Sequence, residues 1–147
     1  MTARALVVEA RFYDEIADML LAGAQARLAE RGFEVDVVTV PGVLEIPLAL
    51  AIAIAAARRN DRSYQVYVVL GCVIRGETGH YDIVAGEGNR AIMDLAVANR
   101  LPLGNGILTV ENGDQARVRA DPDQKDKGGA AAEAAIALYD IRTALRG

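Results

Sequence analysis

Four short apolar runs, at residues 5–8, 35–40, 66–70 and 107–110, alternate along the chain with stretches whose apolar residues recur at helical spacing. That alternation leaves few folds open. A strand that is apolar at consecutive positions is buried on both faces, and a parallel sheet covered by helices on both sides is the architecture that buries it. The expected fold is therefore α/β: a three-layer sandwich with a four-stranded parallel sheet and helices on both faces. At 147 residues, one domain spanning residues 1–147 is expected.

The helices have their own marks. From Asp14, the residues Ile16, Leu20, Ala24 and Leu28 recur every four positions, and Gly32 stops the run. Pro41-Gly42 ends the second strand, and Glu45 and Pro47 both suit the first turn of a helix. Residues 48–57 of that helix read Leu-Ala-Leu-Ala-Ile-Ala-Ile-Ala-Ala-Ala, without a polar stripe. A surface helix shows one. One side is therefore expected to pack on its own sheet and the other on a second copy of the chain. The next helix, from about residue 81 to 98, is expected to bury Ile83, Val84, Ala91, Ile92 and Leu95. A short helix is expected over 114–120, a polar loop over 121–127, and an alanine-rich helix from 128 to about 146.

Charge and composition exclude several functions. A net charge of −4 speaks against a general binder of nucleic acid or membrane surfaces, so any anion site must be local. The single cysteine, Cys72, excludes an internal disulfide and a cysteine zinc cluster. With one histidine there is no metal-ligand spacing. A reducing, cytoplasmic compartment fits. The first ten residues hold no apolar core of signal-peptide length. The nearly uncharged run at 43–57 is shorter than the roughly 20 residues that span a bilayer.

Ligands of parallel sheets bind outside the carboxyl ends of the strands. There the chain places Phe12, then Val43, Leu44 and Glu45, then a turn at 71–80, then Glu111 and Asn112. The third holds glycines at 71, 76 and 79 and the only histidine, His80. A glycine-rich turn into a helix aims backbone N–H groups at an anion. Histidine carries a proton near neutral pH, with a free pKa of about 6.5. Taken alone, His80 reads more readily as a helix-start histidine bonded to a neighbour; the glycines bring the chemical reading level with it. Arg119, Lys125 and Lys127 lie before the last helix, the two lysines at an end that repels cations unless an anion is bound there. Asp121, Asp123 and Asp126 offer the plainer account, a self-compensated loop. Glu45 suits ligand hydroxyls or the helix dipole, Phe12 a stacked ring or simple packing. Cys72 reads as a small buried residue. No Lys-Ser/Thr pair follows Gly76, so the turn is not a P-loop.

Five motifs occur in order: Val40-Pro41-Gly42-Val43-Leu44-Glu45-Ile46-Pro47; Gly71-Cys72-Val73-Ile74-Arg75-Gly76-Glu77-Thr78-Gly79-His80-Tyr81-Asp82; Asn105-Gly106-Ile107-Leu108-Thr109; Gln115-Ala116-Arg117-Val118-Arg119-Ala120; and Lys127-Gly128. Together they resemble the 6,7-dimethyl-8-ribityllumazine synthases, the penultimate enzymes of riboflavin synthesis. The resemblance implies a flavodoxin-like fold and a transferase. Its reaction condenses 5-amino-6-(ribitylamino)uracil with 3,4-dihydroxy-2-butanone 4-phosphate, releasing phosphate and water, without cofactor or metal. It also implies roles. Phe12 stacks on the pyrimidine. Val43, Leu44 and Glu45 hold the ribityl chain, and the backbone at Val73 and Ile74 reads the uracil edge. Gly76, Glu77 and Thr78 cradle the phosphate, and His80 moves protons. Arg119, from a neighbouring subunit and assisted by Lys127, clamps the phosphate. The partners implied are small-molecule substrates and further copies of the chain, in a homopentamer with sites between subunits.

Three departures stand out. Tyr13 follows Phe12 where asparagine is common, and Asn105 stands at a ring-facing position where phenylalanine is common. The turn Asp121-Pro122-Asp123-Gln124-Lys125 replaces one found in members that build sixty-subunit shells, so an isolated pentamer is expected. Two further readings stay open from sequence: a non-catalytic flavin or lumazine binder, and a phosphate-binding regulatory module.

Overall fold

The strands that are apolar throughout lie at the centre of the sheet. The computed structural model describes residues 2–146. In it β1 (Arg4–Ala10) and β3 (Val66–Ile74) are the inner strands, flanked by β2 (Glu34–Val40) beside β1 and β4 (Leu103–Val110) beside β3. All neighbours pair in parallel. The pleat divides the core. Ala5 and Val7 face a layer made by α1 (Asp14–Glu30), α4 (Gly113–Ala120) and α5 (Lys127–Arg146). Leu6 and Val8 face α2 (Ile46–Arg59) and α3 (His80–Asn99). This is the expected three-layer arrangement of a four-stranded parallel sheet between helices.

Ile16, Leu20, Ala24 and Leu28 are all buried, as their spacing predicts. Gly32 follows α1 in the left-handed region at φ 80°, a conformation that costs glycine nothing. The layer of α5 sits unusually close to the sheet. A side chain on Gly104 of β4 would overlap the backbone carbonyl of Ala131. At Gly128 it would overlap the carbonyl of Leu20. The alanines of α5 are the other half of that close approach: Ala131, Ala132 and Ala135 are buried.

Three expectations need correction. The third strand does not stop at Leu70 but continues through Gly71, Cys72 and Val73 to Ile74, pairing with β4 as far as Ile74–Val110. Gly71 sits inside this strand because Val43 occupies the space its side chain would take, with Cγ2 3.0 Å from the ideal Cβ position. The turn before α3 is thus only residues 75–79. β4 likewise starts at Leu103, four residues earlier than residue 107. On α3 the buried stripe is Val84, Gly88 and Ile92, while Ile83 is exposed. Gly88 permits this: Val43 Cγ1 lies 2.9 Å from where its Cβ would be, so the helix rolls Val84 rather than Ile83 toward the sheet.

Helix α2 buries Ile46, Leu50, Ile54 and Ala57. Leu48 and Ile52 point away from the sheet and are 68% and 69% exposed. The outer face of α2 is apolar and uncovered within one chain. No helix among the described residues is long and apolar enough to cross a membrane.

Candidate active site

The parallel register brings the carboxyl ends of the strands to one edge, and a hollow of about 420 Å³ opens there. Its size falls within the range usual for small-molecule sites. The end of β3 supplies the floor through Cys72, Val73 and Ile74. One wall is the segment at 41–45, whose middle is a single 3-10 turn at Val43–Glu45. Another is Gly76, Thr78, His80, Tyr81 and Val84, from the turn and first coil of α3. Phe12 stands at the mouth, 72% exposed. Its ring meets Tyr13 edge-on at 4.9 Å between centroids. An aromatic left this far in water is not serving the core of its own chain.

The turn into α3, the anion cradle expected from sequence, is exposed to solvent. The N–H of His80 bonds Thr78 Oγ1 at 3.3 Å, while the N–H groups of residues 76–79 find no protein acceptor among the described residues. They lie at the start of a 20-residue helix, where the backbone dipoles favour negative charge. Arg75 braces this turn from outside. Its N–H bonds the carbonyl of Val110 at 2.9 Å. Its guanidinium stacks over Tyr81 at 4.3 Å and pairs with Glu111 at 3.1 Å. The residue is therefore spent on structure and turned away from the hollow. Among the described residues, no lysine or arginine lines this hollow.

Two lining residues carry shifted titrations. Burial pushes the Cys72 thiol up to about 11, so it stays a neutral thiol and behaves as a small apolar residue. The Tyr13 phenol is also raised, by burial first and by the neighbouring thiol second.

The cations are elsewhere. Arg119 and Lys127 share a second hollow of about 350 Å³ with Asn105, Ile107 and Thr109, along β4 and the start of α5. β4 is an outer strand. Arg119 donates to the carbonyl of Gln115 at 3.2 Å, and neither it nor Lys127 meets a carboxylate among the described residues. Asp126, at φ 45°, accepts from the N–H of Gly129 at 3.2 Å and pairs with Arg27 at 2.9 Å. That carboxylate is thus held away from Lys127. Asn105 accepts from the N–H of Ile107 at 2.9 Å and donates to Asn89 at 2.9 Å.

The residues predicted from sequence therefore fall into two groups. Phe12, Val43, Leu44, Glu45, Val73, Ile74, Gly76, Thr78 and His80 come together. Asn105, Arg119 and Lys127 come together separately. Glu77 lines neither hollow, although its N–H belongs to the cradle. Tyr81 lines the first hollow without having been foreseen, and so does Tyr13, which the sequence marked only as a departure beside Phe12. Tyr13 could have been found from its place beside Phe12 in the loop after the first strand.

The chain matches the model of one protein family, described as 6,7-dimethyl-8-ribityllumazine synthase, over residues 2–143. A protein of that name from Methylorubrum extorquens (strain PA1) is 62% identical over 141 residues, covering 96% of this chain and 82% of its own length. One from Azorhizobium caulinodans is 58% identical, covering 95% of this chain and 86% of its own. One from Agrobacterium fabrum is 55% identical, covering 97% and 96%. With such likeness over almost its whole length, this chain belongs to the 6,7-dimethyl-8-ribityllumazine synthase family.

Proposed function

We propose that this chain condenses 5-amino-6-(ribitylamino)uracil with 3,4-dihydroxy-2-butanone 4-phosphate to 6,7-dimethyl-8-ribityllumazine, at sites each built from two copies of the chain. One observation carries the second half of the proposal: the hollow with the cradle has no cation, and the hollow with two cations has no cradle. A phosphate bound to amides alone lacks the charge that would balance it. The apolar outer face of α2 gives the copies a reason to meet. A homopentamer closes such a head-to-tail contact into a ring, and is favoured over a sixty-subunit shell. The 121–126 turn supports this choice. It is closed on itself, with Asp121 accepting from the Asp123 N–H at 2.9 Å and from Gln124 at 3.1 Å, and offers little to a further partner. The proposed setting is the cytoplasm.

In this reading each side chain has one task. Phe12 stacks on the pyrimidine, while the backbone at Val73 and Ile74 reads its edge. Val43, Leu44 and Glu45 run along the ribityl chain, with Glu45 accepting from hydroxyls. The amides of Gly76, Glu77 and Thr78 receive the phosphate, and Arg119 of the next copy closes over it with Lys127 beside it. Holding both substrates converts an encounter in solution into a local step, worth up to about 7–11 kcal/mol in well-oriented systems. The amine of the pyrimidine adds to the ketone carbon, and water leaves as the imine forms. Loss of phosphate then gives an enol that becomes a carbonyl. The ribityl-bearing nitrogen adds to that carbonyl with loss of a second water to close the ring. His80, at the lip between the two substrates, takes and returns the protons. The amides and the guanidinium stabilise the departing phosphate.

The test is the appearance of fluorescent lumazine above the spontaneous rate. His80→Ala should lower kcat by roughly 10²-fold with little change in either KM. Arg119→Ala should raise KM for the phosphate substrate most. Mixed rings separate the shared site from a site within one chain. If His80 and Arg119 act across a contact, rings assembled from equal amounts of the two variants regain about a quarter of wild-type sites, because one arrangement in four places both residues at the same junction. No recovery on mixing would overturn the shared site.

A further inference from the structure

Glu9 is the one charged side chain buried among the described residues, 3% exposed on an inner strand. A lone carboxylate there would be costly to keep ionised. It is not alone. Arg11 grips it with two bonds, Nε to Oε2 at 3.0 Å and Nη2 to Oε1 at 2.9 Å. Thr39 Oγ1 donates to Oε2 at 2.6 Å from the facing position on β2. Arg11 reaches on to Asp18 on α1, Nη1 to Oδ1 at 2.6 Å. Its own N–H bonds the carbonyl of Val40 at 2.9 Å. The bond to Glu9, and after it the bond to Asp18, push the Arg11 guanidinium above its ordinary range. None of Glu9, Arg11 and Thr39 lines the hollow.

What these residues adjoin is informative. Arg11 precedes Phe12, and Thr39 lies two residues before Pro41. Phe12 and the 41–45 segment are two walls of the hollow. The Arg11 N–H to Val40 bond ties the two walls through the backbone; a purely apolar residue at position 9 would fill the core but add no side-chain tie between them. We propose that Glu9 is a positioning residue: its paired grip on Arg11 and its bond from Thr39 set the distance between the Phe12 wall and the 41–45 wall. It thereby sets affinity for the ring-bearing substrate without touching it. This rests on reading the hollow as the site for the pyrimidine and its ribityl chain.

Glu9→Gln keeps the volume but faces one arginine N–H with an amide that cannot accept it. Arg11 then keeps Asp18 and its backbone bond to Val40, and the paired side-chain grip on position 9 is reduced to a single bond. Thr39→Val removes the other strut and leaves the charge pair intact. Both variants are assayed as full-length protein, with KM taken for each substrate separately and hydrogen exchange followed by mass spectrometry. Glu9→Gln should raise KM for the ribitylaminopyrimidine by roughly tenfold or more while KM for the butanone phosphate stays unchanged. Exchange should rise at residues 11–13 and 41–45 and not in α3. Thr39→Val should act in the same direction but less strongly, and it decides the matter should Glu9→Gln fail to fold. A merely structural role would lower the active fraction and leave both KM values alone. Equal shifts in the two KM values, or no local rise in exchange, would overturn the proposal. A wild-type chain that makes no lumazine would refute the assigned reaction instead, and the exchange data would still decide the positioning role.

Discussion

Replacing Leu48 and Ile52 together by glutamate tests the link between assembly and activity. The two residues lie four apart on α2 and share its outer face. They are 68% and 69% exposed in the single chain, so about two-thirds of each side chain remains to be covered. Full burial of a leucine or isoleucine stabilises by about 1.5–3 kcal/mol, which leaves about 1–2 kcal/mol each for a contact, or about 2–4 kcal/mol for the pair. At 1.4 kcal/mol per factor of ten, this weakens each junction by about 30- to 1,000-fold, and desolvating two carboxylates adds to it. Because neither side chain belongs to the chain's own core, the variant should keep its far-ultraviolet circular dichroism. Sedimentation velocity across a dilution series should show the wild type as a closed ring and the variant as monomer. Lumazine formation should fall in step with the ring, since in the proposed shared site the cradle would lose the Arg119 of the next copy. A variant that stays assembled with wild-type turnover would show that α2 is not the contact. A fully active monomer would show that the site needs one chain only.

Three further outcomes follow from the geometry. Phe12→Ala removes an exposed ring, so stability should change by less than about 1 kcal/mol, whereas lost stacking should raise KM for the pyrimidine substrate by roughly tenfold; equal effects on both substrates would contradict its place. Gly128→Ala drives a methyl group into the carbonyl of Leu20, and overpacking of about 1–3 kcal/mol should lower Tm by about 3–10 °C; an unchanged Tm would mean that α1 and α5 are not in close contact. The Cys72 thiol, raised by burial from its ordinary 9.0 to about 11, favours the folded state fully below pH 9 and ceases to do so as pH rises through about 11, because the unfolded chain loses that proton first. The Tm of the wild type should therefore fall more steeply between pH 9 and 11 than that of Cys72→Ala, and parallel curves would refute the burial of the thiol.

The layers were legible because single periodicities dominate them. The four-residue spacing of Ile16 to Leu28 names a buried face without help from the rest of the chain, and β1 and β3 are apolar at almost every position because helices cover both their faces. Misreadings arose where one residue's environment is set by a distant one. Gly71 looks like the end of a strand, since glycine weakens strands; Val43, far away in sequence, fills its place and keeps the strand going. The same valine explains why Gly88 rather than a larger residue lies in the α3 stripe, and with it the outward turn of Ile83. Arg119 was legible as a cation near a helix end, but not the hollow it lines, which depends on how α4 and α5 close over β4.

Asn105 shows how the two half-sites depend on each other. Its oxygen caps the N–H of Ile107 and its nitrogen bonds Asn89. On an outer strand, such a cap silences one of the free backbone groups that would otherwise recruit another strand. Both ends of the amide are therefore engaged before any ligand arrives. In a site shared between copies, Asn105 lies in the same hollow as Arg119 and Lys127 and would reach the neighbour's ring pocket with them. It brings no aromatic face. In the reading proposed above, ring stacking then falls to Phe12, whose neighbour Arg11 is held by Glu9. A chain with one stacking ring depends more on where that ring stands than a chain with two. The buried carboxylate and the amide at the edge strand, far apart in sequence and on different strands, thus bear on the same quantity: how firmly one pyrimidine is held.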